Sequence, residues 1–172
     1  MDASGNGASG NGASGTGECT CLRLRRVTRR VTQLYDRALE PAGLTITQFG
    51  VLASLRHGDA VAIGNLADRI GMDPTTLNRA LKPLEARDLV RVRQRPGDRR
   101  VRAVHLTATG RAKLGEAAPL WARVQDEVGA VLGGSLHLAL NHLLDASAAQ
   151  LASAAQLASA RLDRERPIPA AG

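Results

Sequence analysis

The stretch Asp73–Leu106, DPTTLNRALKPLEARDLVRVRQRPGDRRVRAVHL, decides how the rest of the chain is read. Asp73 can accept a hydrogen bond from a free backbone N–H at a helix start. Pro74 fits the first helical position, where its missing N–H costs nothing. Leu77, Leu81 and Leu84 recur at four and three residues and make one side apolar. Thr75, Thr76, Asn78, Arg79 and Lys82 fall on the outward side. Pro83 lies inside this helix, removes one hydrogen bond and predicts a kink, at a cost of about 3 kcal/mol in an ordinary interior. Past Leu89 the period changes to two, with Val90 and Val92 alternating with Arg91, Arg93 and Arg95, as in a half-buried strand. Pro96-Gly97-Asp98 is a turn, and Val101–Leu106 returns as the second strand of a hairpin.

Charge is concentrated in the same place. Between Arg79 and Arg102 there are nine basic and three acidic residues, a net +6 against +7 for the whole chain. A basic run by itself is most simply a solvated face. Here it coincides with a helix sized for a major groove and a hairpin tip sized for a minor one, which points to a surface that meets phosphates.

Upstream, Ile63, Leu66, Ala67 and Ile70 predict a helix of about two turns, and Gly71 stands where a left-handed cap is wanted. Helix, tight turn and second helix make a helix-turn-helix, and the basic hairpin behind it makes it winged. Before it, a helix is expected over Thr47–Arg56, burying Phe49, Leu52 and Leu55. The first helix starts near Thr20, carries Val27, Val31, Leu34, Tyr35 and Ala38, and is ended by Pro41 and Gly43. Downstream, Thr107 can cap a long helix from Ala108 to about Leu132. Gly133-Gly134-Ser135 breaks it, with Ser135 as the next cap, and Leu136, Leu140, Leu143 and Leu144 follow. ASAAQL then occurs twice, at 146–157, as an alanine-rich helical extension whose leucines precess around the axis.

Composition excludes several classes. One Phe, one Tyr and one Trp in 172 residues cannot build a stacking platform for single-stranded nucleic acid. No apolar run reaches the length of a membrane span, and no basic-then-apolar leader opens the chain, so a cytoplasmic protein without a membrane partner is expected. Residues 3–17 repeat a glycine-rich pentad, ASGNG, ASGNG, ASGTG, too small and polar to order itself. The fold class expected is mainly α with a small β-hairpin wing. Its parts are a low-complexity tail (1–18), a first dimerisation helix (19–42), a winged helix-turn-helix domain (43–107), C-terminal dimerisation helices (108–162) and a loose tail (163–172).

These residues resemble the multiple-antibiotic-resistance (MarR) family of regulators. The matching motifs are Gly43-Leu44-Thr45 with Gln48-Phe49, Leu66-Ala67, and Leu84-Glu85 with Leu89-Val90. The most specific is Asp98-Arg99-Arg100 followed by Leu106-Thr107 and Gly110. The resemblance covers about residues 20–145. It implies a homodimer held by the first and last helices, bound to a pseudo-palindromic double-stranded operator and usually repressing transcription. It also implies that the recognition helix reads the major groove while Arg100 enters the minor groove, with Asp98 orienting the wing and Arg95 and Arg99 beside it. No cofactor and no metal site are expected. A dimer is also the usual way for a short helix-turn-helix footprint to reach specific affinity.

Cys19-Thr20-Cys21 precedes the first helix and leaves several readings open: inert thiols, a weakly supported metal site, or a redox sensor. Residues two apart on a helix point about 200° away from each other, which disfavours chelation of one ion. Organic-hydroperoxide-responsive members of the same family carry a reactive cysteine at the position of Cys21. The resemblance places Tyr35 where one of its polarising tyrosines stands, and Arg25 in place of a second. An arginine near a helix N-terminus favours a thiolate. A small-molecule effector, such as an aromatic acid, stays equally open. Other classes are a winged-helix module for protein or RNA, or a thiol peroxidase using Cys21. The latter lacks a visible nucleophile, base and orienting group.

Overall fold

The computed structural model describes residues 19–58, 60–95 and 98–165, with the side chains of 95, 98–100 and 157–165 excepted. The glycine-rich pentads lie outside the described residues. The elements run α1 (Thr20–Leu39), a 3₁₀ turn (Glu40–Ala42), α2 (Ile46–Ser54), β1 (Val61–Ala62), α3 (Ile63–Ile70), α4 (Pro74–Ala86), β2 (Val90–Arg95), β3 (Asp98–Leu106), α5 (Ala108–Leu132) and α6 (Gly134–Glu165). The chain divides into two units at Val124/Gln125.

In the first unit the expected helices form and each is stopped by a local device. Pro41 opens the 3₁₀ turn after α1, and Gly43, at φ +63°, closes it. Thr45 and Gln48 form a reciprocal capping box at the start of α2. That helix begins and ends earlier than its apolar spacing implies, because Leu55 to His57 turn away after Ser54. Gly71 adopts φ +66° and lets α3 end tightly before α4. Asp73 caps α4 through Thr75 N (3.0 Å) and Thr76 N (2.9 Å). The helix continues through Pro83 to Ala86, with Leu81 and Leu84 buried on either side of the proline.

The sheet holds three strands rather than two, in the order β1-β3-β2. β1 is only Val61-Ala62, paired antiparallel with Val104 and Ala103. β2 pairs with β3 from Val90↔Leu106 to Gln94↔Arg102, and the register shifts at Gln94/Arg95. β3 starts at Asp98, three residues before the expected Val101. Leu39, Leu52, Leu66, Leu77, Leu81, Leu84, Val90 and Val104 fill the core, and Phe49 stacks on Trp121 with ring centroids 5.7 Å apart.

In the second unit Gly133, at φ +78°, separates the last turns of α5 from α6. Gly133 O accepts the His137 N–H (2.9 Å), so α6 starts at Gly134 and Ser135 lies inside its first turn instead of capping it. α6 is one helix through both ASAAQL repeats and on to Glu165, past the expected end at residue 162.

Candidate nucleic-acid interface

α4 is held by its apolar side and presents its polar one. Leu77, Leu81 and Leu84 are buried, while Thr75, Thr76, Arg79 and Lys82 are exposed and Asn78 is half-buried. Two of these five have a donor already engaged. Thr76 Oγ1 donates to the Asp73 carboxylate, and Asn78 Nδ2 donates to Pro74 O (2.8 Å). The Asn78 amide oxygen, Arg79 and Lys82 keep their capacity for an outside partner. The Thr76 hydroxyl, with the Thr76 and Thr75 backbone N–H groups, holds the Asp73 carboxyl below its usual range, because all these donors favour the charged form.

The wing follows directly. Arg91 and Arg93 on β2 and Arg102 on β3 are exposed, and Arg91 pairs with Asp88 (3.2 Å). Arg95, Asp98, Arg99 and Arg100 sit by backbone position at the hairpin's distal end, and their side chains lie outside the described residues. Asp88 turns the chain from α4 into β2 at φ +52°, a left-handed conformation that few residues besides glycine and Asn/Asp adopt readily.

The wing's root is welded to α5. Thr107 Oγ1 donates to Asp88 O (2.5 Å), with Leu89 O 3.1 Å away, and accepts the Gly110 N–H (2.9 Å). Thr107 N adds a bond to Leu89 O (3.2 Å). Arg87, just past the end of α4, donates to Gly43 O (2.8 Å), and Asp36 of α1 accepts the Ile46 N–H (2.7 Å). Arg87 and Asp36 escape a reading by period, since their partners lie 44 and 10 residues away.

Residues 44–101 match the family model described as MarR family. The chain is 42% identical to the M. tuberculosis transcriptional regulator MOSR, solved in complex with DNA, with TM-score 0.67 over 77% of this chain and 98% of that one. The chain belongs to the MarR family. Its MarR-type relatives include the transcriptional repressor CouR bound to a 23-mer DNA duplex, 31% identical at TM-score 0.69 over 77% and 94% of the two chains. The HTH-type transcriptional repressor NicR of Pseudomonas putida is 29% identical over 121 residues, 70% of this chain and 77% of that protein. As a MarR-family protein this chain is a DNA-binding transcriptional regulator, and α3 and α4 with the β2–β3 hairpin are its winged helix-turn-helix.

The residues expected to sense a signal are placed less favourably for one. Cys19 and Cys21 are free and exposed, Cys19 just before α1 and Cys21 in its first turn. Arg25, one turn on, is exposed as well. Tyr35 is buried, and burial pushes its phenol pKa up. It stands on the same helix as Cys21, and fourteen residues at 1.5 Å each separate the two by about 21 Å. Tyr35 therefore cannot polarise the Cys21 thiol within one protomer. Among the described residues no three His, Cys, Asp or Glu side chains gather to hold a metal ion.

Proposed function

We propose that this regulator binds a pseudo-palindromic operator as a homodimer and represses transcription until a signal releases it. The observation that carries the reading is the face of α4: Thr75, Thr76, Asn78, Arg79 and Lys82 lie outward above three buried leucines, next to a basic hairpin. In this arrangement α4 enters the major groove, while Arg100 reaches the minor groove and Arg95 and Arg99 meet phosphates. Asp98 orients the wing turn.

Support for the dimer comes from apolar side chains left in water at both ends of the chain. Leu22, Leu24, Val27 and Leu34 of α1 are roughly half exposed, and Leu136, Leu138, Leu143 and Leu144 of α6 are 44–65% exposed. Such surface is normally covered by a partner, and a two-fold copy is the usual one. The protein's role is regulation in the cytoplasm, without catalysis. Selection from random duplexes tests the reading. A preferred inverted repeat with half-sites about one helical turn apart supports it, and sequence-indifferent binding overturns it.

The signal we assign to the exposed pair Cys19 and Cys21. Oxidation of Cys21 to a sulfenic acid, condensing with Cys19 to a disulfide with loss of water, adds bulk and constraint at the root of α1. The peroxide that oxidises the thiol leaves as an alcohol. In one structural neighbour, Bordetella bronchiseptica BpsR, DNA binding is regulated by 6-hydroxynicotinic acid. An aromatic acid is accordingly the alternative effector.

A further inference from the structure

We propose that Glu85 is a positioning residue for DNA binding, its carboxylate bracing the free edge of wing strand β2 and so fixing where the wing tip meets the duplex. The proposal rests on the wing's role given above. Its geometric basis is one contact between two elements. From the last turn of α4, Glu85 Oε1 accepts the Val92 N–H at 3.1 Å. β2 is an edge strand, in the order β1-β3-β2, so its outer backbone donors have no strand to pair with. Glu85 takes one of them.

Two further features make this acid hard to explain otherwise. It lies one residue before the end of α4, where exposed carbonyls make a carboxylate unfavourable and a cation welcome, yet that turn carries no basic residue. It also lies in the segment whose net charge is +6, beside the surface that is to meet phosphates. An acid there repels the partner. The neighbouring acid Asp88 pairs with Arg91 at 3.2 Å, but that contact joins two side chains and leaves the strand's backbone donors untouched. Among the described residues, Glu85 is the α4 side chain that bonds to the wing backbone.

The lever is long enough to matter. Val92 stands about 10 Å of strand from Arg95. A swing of about 10° at Val92 moves the hairpin end by about 2 Å, a third of a minor groove about 6 Å wide. The brace holds the wing at the angle at which helix and tip engage together.

The charge effect and the brace predict opposite signs, which makes the proposal testable. Removing an acid near phosphates tightens binding if charge alone matters. Removing the brace weakens it. Operator affinity of the full-length dimer is measured at one salt concentration for wild type, Glu85→Ala, Glu85→Gln and Arg100→Ala, and for Arg100→Ala combined with Glu85→Ala. Glu85→Ala is expected to weaken binding about tenfold, the loss of one hydrogen bond to a charged acceptor. Glu85→Gln keeps an acceptor oxygen without the charge and restores wild-type affinity or better. In the Arg100→Ala background the Glu85→Ala loss shrinks below about twofold, because an unpositioned tip no longer matters. Equal losses in both backgrounds, or Gln as weak as Ala, overturn the proposal. Amide exchange at Val92, faster in Glu85→Ala and normal in Glu85→Gln, reads the brace independently. Unchanged Val92 exchange in Glu85→Ala overturns it. Wild-type affinity in Arg100→Ala overturns the wing reading, and with it the positioning role, while Val92 exchange still reports the brace.

Discussion

Gly110→Ala should damage this protein through a single methyl group. Gly110 lies in the first turn of α5 and is not among the positive-φ glycines, so conformational freedom is not its use. Space is. A Cβ there would stand 1.9 Å from Leu89 O and 2.8 Å from Leu106 Cδ1, whereas real Cβ atoms are essentially never within 3.0 Å of such neighbours. The start of α5 must retreat from the wing root by about 1.1 Å, stretching the bonds that Thr107 makes to Asp88 O and Leu89 O. Overpacking costs about 1–3 kcal/mol, and each weakened hydrogen bond about 1 kcal/mol. Replacing glycine in a helix returns at most about 1 kcal/mol. The net loss is about 2–4 kcal/mol, which at this chain length lowers Tm by about 4–16 °C. Gly115→Ala, on the same helix with nothing within 4 Å of its added Cβ, is the internal control. It should raise stability by about 0.5–1 kcal/mol. Thermal and urea unfolding of both variants against wild type measures the contrast. Gly110→Ala melting at or above wild type would refute the close approach and the weld built on it.

Arg79→Ala should relax sequence preference at one operator position by about 1–3 kcal/mol, read by binding to single-base variants. Asn78→Ala should do less, since its amide N–H₂ is already held by Pro74 O. A uniform loss over all sequences would instead mark either as a phosphate contact. Organic hydroperoxide should release wild type from its operator, while Cys21→Ser stays bound; release that persists in Cys21→Ser removes the thiol from the mechanism. The Asp73 carboxyl is held below its usual range, so its capping contribution is complete above about pH 4 and is lost as pH falls through the lowered folded value. Asp73→Asn, which caps without titrating, should flatten that acid limb in pH-dependent unfolding, and an unchanged slope would assign the limb to other groups.

The order of helices, the outward face of α4, the hairpin and its charge are legible in the residues alone. These rest on signals that act within a few residues: the spacing of Leu77, Leu81 and Leu84, the cap at Asp73, and the glycines at 43 and 71 that end their helices. The distance between Cys21 and Tyr35 was equally legible, since both lie on one helix and the rise per residue is constant. Tertiary structure alone decided the rest. Val61-Ala62 becomes a strand only because Val104 and Ala103 are there to pair with it. Gly110 is required only because Leu89 O passes against it, and the bond from the Val92 N–H to Glu85 forms only once the hairpin has folded beside α4. Val27 and Leu34 belong to the apolar spacing expected of a buried face, yet they stay half exposed on the single chain. Periodicity records that a face is apolar, whereas what covers it depends on which distant segments, or which second copy, the fold brings alongside.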